Sequence, residues 1–227
     1  MKLHLSVILA ALLAAACSKT TAVEQSPPPP TSESSTVENP CASDDDRVQS
    51  YLLAKKDTWR DANVPYEDGK VLHDLIVERK ARNILEIGTS TGHSTIWLAW
   101  AAKKIGGHVT TIEIDPSRHR QAVDNIRAAG LSEFVHFHLA DAHQLVKTLP
   151  GPFDFVFSDA DKDWYVNYFN DVDPKINPGG CIAAHNALNG FAGVDRYIEH
   201  VRARADYVTT IERSSPSGFA ISCKKTP

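Results

Sequence analysis

Four cysteines, Cys17, Cys41, Cys181 and Cys223, form no CxxC pair and no metal-ligand spacing, so neither a structural zinc site nor CxxC redox chemistry is expected. No cluster of lysine and arginine interrupts a formal net charge of −4, so nothing is present to neutralise a phosphate backbone and nucleic acid is not an expected partner. One long apolar run exists, at residues 3–16, and it is too short to span a bilayer as a permanent helix. Residues 18–45 lack aromatic and large aliphatic side chains altogether. Such a segment cannot bury enough apolar surface to offset chain entropy and reads as a disordered linker.

Around these absences the N-terminus has a recognisable layout. Lys2 supplies a positive start, and the apolar run closes on Ala14, Ala15, Ala16 and Cys17. That is the order of a secretory signal occupying residues 1–17. The small residues before Cys17 resemble a bacterial lipobox, in which the cysteine is lipidated and becomes the new N-terminus. Ala14 stands where the lipobox leucine is usual, and Leu13 lies one place too early. The expectation is a lipid-anchored cell-envelope protein. An ordinary signal peptide, or a cytoplasmic protein with a misplaced start, remains the alternative.

Of the 227 residues, those from 46 to 227 remain, enough for one α/β domain and too few for two. Hydrophobic content of 42% and charged content of 23% fit a globular domain. Val71, Leu72, Leu75 and Ile76 share a helical face. Short apolar runs at 84–87, 109–114, 134–139, 153–158 and 181–184 read as buried strands, the last after a Pro178-Gly179-Gly180 turn. Helical periodicity fills 94–104, 117–129, 164–172 and 195–204, and strands at 207–211 and 219–223 flank a Ser/Pro/Gly turn. Cys181 and Cys223 fall in two of these strands and read as buried thiols, with a disulfide left open. The alternation predicts a Rossmann-like, doubly wound, mostly parallel seven-stranded sheet with an antiparallel C-terminal hairpin. Ligands of such sheets bind at the carboxyl ends of the strands.

The distinctive polar residues fall at those ends. Glu86-Ile87-Gly88-Thr89-Ser90-Thr91-Gly92-His93-Ser94 follows the first strand. Its Gly-x-x-x-Gly spacing permits a sharp turn and close ligand approach, but it is not the Gly-x-Gly-x-x-Gly that seats a pyrophosphate. S-adenosylmethionine, which has no phosphate, suits this loop better than NAD. Glu113, at the end of the second strand, is placed to accept both ribose hydroxyl protons. Asp141, followed by Ala142, ends the third and is placed for an adenine amino group. Each residue alone also reads as a solvated strand end; three in register read as a nucleoside pocket.

After the fourth strand comes Asp154-Phe155-Val156-Phe157-Ser158-Asp159-Ala160-Asp161-Lys162-Asp163-Trp164-Tyr165. This stretch, with the later Pro-Gly-Gly and a strand ending in Asn186, resembles the cation-dependent O-methyltransferases, a class I S-adenosylmethionine-dependent group holding the caffeoyl-CoA and catechol enzymes and bacterial relatives. The resemblance runs from about Asn63 to Gly190, and Asn63-Val64 followed by Gly69 matches the segment that covers the methionine end of the cofactor. It implies methyl transfer to a hydroxyl of a small, aromatic, diol-like acceptor, with Lys162 as general base. Cofactor contacts are implied at Val64, Glu86, Gly88, Ser90, Gly92 and Ser94, and further at Glu113, Asp141, Ala142 and Asp159. A divalent cation is implied at Asp159, His185 and Asn186. Position 185 departs from the Asp-Asn pattern of well-known members, and an imidazole there favours manganese or another transition ion over magnesium. Expected partners are the acceptor and, as an open alternative, a second copy in a homodimer, with membrane contact only through the lipid anchor.

Two other readings compete. A catalytically silent, lipid-anchored binding protein on the same fold is favoured by export, because S-adenosylmethionine is made in the cytoplasm. An NAD-linked oxidoreductase is disfavoured by the missing third glycine and by the Asp159–Lys162 segment.

Overall fold

The computed structural model describes residues 43–60 and 62–227. The signal segment with Cys17, the linker as far as residue 42, and Cys41 lie outside the described residues. The expected linker boundary at 45 is corrected, because helix α1 already runs from Asp44 to Ala54. The Ser43 hydroxyl accepts from the Asp46 amide at 3.2 Å, and the Asp46 carboxylate accepts from the Ser43 amide at 2.9 Å. This capping box satisfies two amides that a helix start leaves free. Asp45 also accepts from the Trp100 indole at 2.6 Å, which ties the first turn to the domain.

The chain continues as α2 (Tyr66–Arg79), β1 (Asn83–Ile87), α3 (His93–Ile105), β2 (His108–Glu113), α4 (Pro116–Ala128) and β3 (Val135–Leu139). Next come α5 (Ala142–Thr148), β4 (Phe153–Ser158), α6 (Tyr165–Val172), β5 (Ile176–His185), α7 (Ala192–Arg202), β6 (Tyr207–Glu212) and β7 (Phe219–Lys224). The seven strands lie in the order β3-β2-β1-β4-β5-β7-β6. Pairing is parallel from β3 through β5, while β7 runs antiparallel between β5 and β6. The expected architecture is therefore the observed one. Two details differ. The Pro178-Gly179-Gly180 turn lies inside β5, where the register against β4 shifts between Phe153 and Phe155. Helix α5 was not expected; it is seven residues long and buries only Ala142 and Val146.

The central strands carry apolar residues on both faces, as a sheet covered twice requires. In β1, Ile84 packs with α2 and α3 residues such as Leu72 and Ile96, while Leu85 and Ile87 join the opposite core with Phe169 and Tyr197. Phe155 and Phe157 of β4 face the first core and Val156 the second, the two-residue alternation of a strand. Helix α6 buries Tyr165, Tyr168, Phe169 and Val172, one stripe at helical spacing. Cys181 and Cys223 are directly paired across β5 and β7 and form a disulfide, the alternative that the sequence left open beside buried thiols. Among the described residues, no helix is long and apolar enough to cross a membrane.

This topology fixes where chemistry can occur. The chain leaves β1 outward through β2 and β3, then returns to place β4 on the other side of β1. In register, Ile87 lies beside Ile112 and Ser158, Glu113 beside Leu139, and Ser158 beside Ala184. Strands β1 to β5 thus end along one edge, with the switch point between β1 and β4.

Candidate active site

The loop after β1 is shaped by one close approach. Gly88 has φ +102°, and a Cβ there would lie 3.0 Å from the Ala160 amide nitrogen and the Asp159 carbonyl carbon. Only glycine lets the β1 loop lie against the end of β4. Ser90 (φ +49°) follows, and its amide donates to Glu113 Oε2 at 2.7 Å. The Asp115 amide donates to Glu113 Oε1 at 2.9 Å. The Glu113 carboxylate is thereby held by one backbone donor on each oxygen, and each oxygen keeps acceptor capacity. Asp141 caps α5 through the His143 amide at 2.9 Å.

These groups border one cavity of about 350 Å³, inside the range of roughly 300–1,000 Å³ usual for small-molecule sites. Of the expected site residues, Gly88, Ser90, Glu113, Asp141, Ala142, Asp159 and Lys162 line it. Ile114, Arg118, His143 and Tyr168 line it as well and were not expected. His143 stacks on Trp164 with ring centroids 4.3 Å apart and lies 3.3 Å from Asp161, which holds it against the cavity wall.

Val64, Glu86, Gly92 and Ser94 do not line the cavity. Gly92 starts α3 with φ +95°. Val64 is a clamp: His93 Nδ1 lies 2.8 Å from its carbonyl, while the Trp97 indole donates to His93 Nε2 at 3.1 Å. Burial holds the His93 imidazole down at about 4, so the ring is neutral, donating at Nδ1 and accepting at Nε2. Glu86 is fully enclosed beneath the loop, accepting from the Thr95 and Thr111 hydroxyls at 2.6 Å each. Burial pushes its carboxyl up to about 7 against the pull of those hydroxyls and of Ser94, with Asp159 adding to the rise.

At the β4 end, Asp159 Oδ1 accepts from Lys162 Nζ at 2.5 Å, and Lys162 also donates to the Asp159 carbonyl at 3.0 Å. Lys162 starts a single 3₁₀ turn capped by Asp161. Gly193 of α7 supports that turn from behind, since a Cβ there would lie 2.2 Å from the Lys162 carbonyl oxygen. Nothing in the local sequence marks Gly193, because its neighbour is thirty-one positions earlier.

His185 and Asn186 do not meet Asp159 as a ligand trio. His185 Nδ1 lies 3.0 Å from Asp159 Oδ1, and Nε2 lies 2.5 Å from Oδ2 of Asp68, a buried α2 residue that was not expected. Burial alone would push His185 down, but the charge and hydrogen bond of Asp159, joined by Asp68, hold it up at about 9. Asn186 (φ +63°) donates to Asn189 at 3.2 Å. Among the described residues, no set of three or more His, Cys, Asp or Glu side chains is arranged to hold a metal ion. Asp159 and Asp68 lie on opposite nitrogens of His185 and do not converge on one point, so this arrangement does not fit a divalent cation.

Fold and site together define a Rossmann-like methyltransferase. The family model described as O-methyltransferase matches residues 38–211. A catechol O-methyltransferase of Niastella koreensis is 39% identical over 146 residues, covering 60% of this chain and 66% of that one. A catechol O-methyltransferase of Mycobacterium tuberculosis is 34% identical over 174 residues, covering 70% and 79%. The chain thus spans about two thirds of the first relative's length and rather more of the second's. The structure of an O-methyltransferase from Bacillus cereus in complex with S-adenosylhomocysteine superposes with TM-score 0.67 at 30% identity, covering 83% of this chain and 94% of that one. The Streptomyces achromogenes O-methyltransferase of tomaymycin synthesis, solved with S-adenosylmethionine, gives 0.65 at 29% identity, covering 82% and 92%. The chain belongs to the O-methyltransferase family.

The buried Glu86 makes stability depend on pH with a definite sign. Its carboxyl rises from 4.5 to about 7 on folding. The contribution is fully present below 4.5 and is lost as pH rises through about 7, about 3 kcal/mol at most. His185, held at about 9, adds a loss of the same sign at higher pH. Urea unfolding between pH 4.5 and 6.5, below the range where His185 contributes, should show this decline in the wild type and a much flatter profile in Glu86→Gln. Parallel profiles for the two proteins would show that Glu86 titrates normally.

Proposed function

We propose that this chain transfers a methyl group from S-adenosylmethionine to a hydroxyl oxygen of a small, aromatic acceptor. The observation that carries this reading is the convergence of the β1 loop, Glu113, Asp141 and Lys162 on one cavity at the switch point of the sheet. When bound, the cofactor supplies a methyl group activated by a sulfonium. Glu113 offers each oxygen to a ribose hydroxyl, and the Asp141 carboxylate at the β3 end is placed for the adenine amino group. Gly88 fits the group because its missing Cβ keeps the loop low against β4. Lys162, at the other side of the cavity, first gives its own extra proton to solvent and then, as the neutral amine, takes the acceptor's hydroxyl proton as the oxygen attacks in line. Overall, an oxygen–methyl bond forms, the sulfur–methyl bond breaks, and the proton rests on the Lys162 amine.

We also propose that the domain is exported and anchored through lipidated Cys17. The Cys181–Cys223 disulfide supports this, since such bonds persist chiefly in oxidising compartments. Fatty acid label fed to the native host should appear on the wild type and not on Cys17→Ala. Unlabelled cytosolic protein retaining Met1 would overturn the proposal.

If Lys162 is the base, Lys162→Ala keeps its cofactor affinity while turnover on a catechol falls about a hundredfold or more. Part of the rate returns at high pH, where a phenol ionises unaided. An unchanged rate at neutral pH would reduce Lys162 to an ion-pair partner of Asp159. Cofactor binding without turnover on any phenol would favour the silent binding protein.

A further inference from the structure

The family resemblance places a divalent ion where Asp159, position 185 and Asn186 meet. In this chain the space is taken by a side chain that already has two partners. An imidazole offers one bonding direction per nitrogen, both in the ring plane. His185 spends one on Asp159 Oδ1 at 3.0 Å and the other on Asp68 Oδ2 at 2.5 Å. An ion at Nδ1 would have to displace the direct contact with Asp159, because the other nitrogen is held by Asp68 on the far side of the ring. The ring is 4% exposed and Asp68 0%, so neither is free to turn outward to an ion.

Asp68 explains why His185 stays. Its other oxygen, Oδ1, has no hydrogen-bond partner, so His185 is what compensates a carboxylate wholly removed from water. Moving His185 off Asp68 would strand that charge in the core, so the ring is fixed in place. Asp159 Oδ1 is engaged twice, by His185 and by Lys162, while Asn186 directs its amide nitrogen to Asn189. Of the three expected ligands, Asp159 and His185 are thus bonded directly to each other, and Lys162 already supplies a cation to Asp159.

We infer that the Asp68–His185 pair occupies the place of the family's divalent ion, and that this chain binds no cation there and uses acceptors carrying a single hydroxyl. The acceptor half rests on the methyl-transfer reading; the cation half does not. A chelating ion rewards an acceptor for presenting two adjacent oxygens. Without the ion, the second hydroxyl meets no counterpart, and Lys162 needs only one oxygen.

Full-length protein stripped with chelator should leave the electron paramagnetic resonance signal of added Mn²⁺ undiminished at millimolar concentrations. Turnover should stay within about twofold when chelator replaces Mg²⁺ or Mn²⁺, and a monohydroxy phenol should be used within about tenfold of the matching catechol. Mn²⁺ bound equally by wild type and Asp159→Asn lies elsewhere and leaves the inference standing. One Mn²⁺ per chain, bound by wild type and lost in Asp159→Asn, would overturn it, as would turnover abolished by chelator and restored by Mn²⁺. Strict dependence on the catechol would overturn the acceptor half. A protein inactive on both acceptors contradicts the methyl-transfer reading instead, while the Mn²⁺ titration still decides the cation half.

Discussion

The bond from the Ser90 amide to Glu113 Oε2, 2.7 Å long, joins the turn after β1 to the last residue of β2. The rest of the site is arranged around it. It draws the loop across the edge of the sheet, which is why Ser90 adopts a left-handed backbone and Gly88 must approach Ala160 without a Cβ. It also fixes the Glu113 carboxylate before any ligand arrives. An acceptor held by backbone donors loses little freedom on binding, so its hydrogen bonds are retained as affinity. The pocket is preorganised because the sheet's register and this loop constrain each other.

Beneath the loop, burial has been arranged in favour of shape over charge. Glu86 lies fully enclosed with hydroxyl donors around it and a carboxyl displaced to about 7. Neutral His93 holds Val64 in place, stacked under Trp59 with ring centroids 4.6 Å apart. Charge is concentrated instead in the row Asp68, His185, Asp159 and Lys162, where opposite signs alternate within hydrogen-bonding distance. Such a row balances itself inside the protein.

The fold was legible because buried strands read as short apolar runs, and five such runs alternate with helical periods before a closing hairpin. Glu113, Asp141 and Asp159 were legible for the same reason: polar groups in a buried parallel sheet belong at its ends. What could not be read depends on contacts between distant elements. Asp68 and His185 are 117 residues apart, and Asp68 looks like any acidic residue in the first turn of a helix. The disulfide needed the register that puts Cys181 opposite Cys223. Helix α5 buries too few residues to show a period, and α1 begins inside a polar stretch where only its capping box marks the start.

The central claim is that the β1 loop and Glu113 form a nucleoside pocket, and calorimetric titration of S-adenosylhomocysteine into wild type and Glu113→Ala tests it most directly. Removing the carboxylate leaves ribose hydroxyls without their acceptors, so binding should weaken by about 2 kcal/mol, roughly thirtyfold. A wild type that releases no binding heat, or a Glu113→Ala protein that binds as tightly, would contradict the assignment.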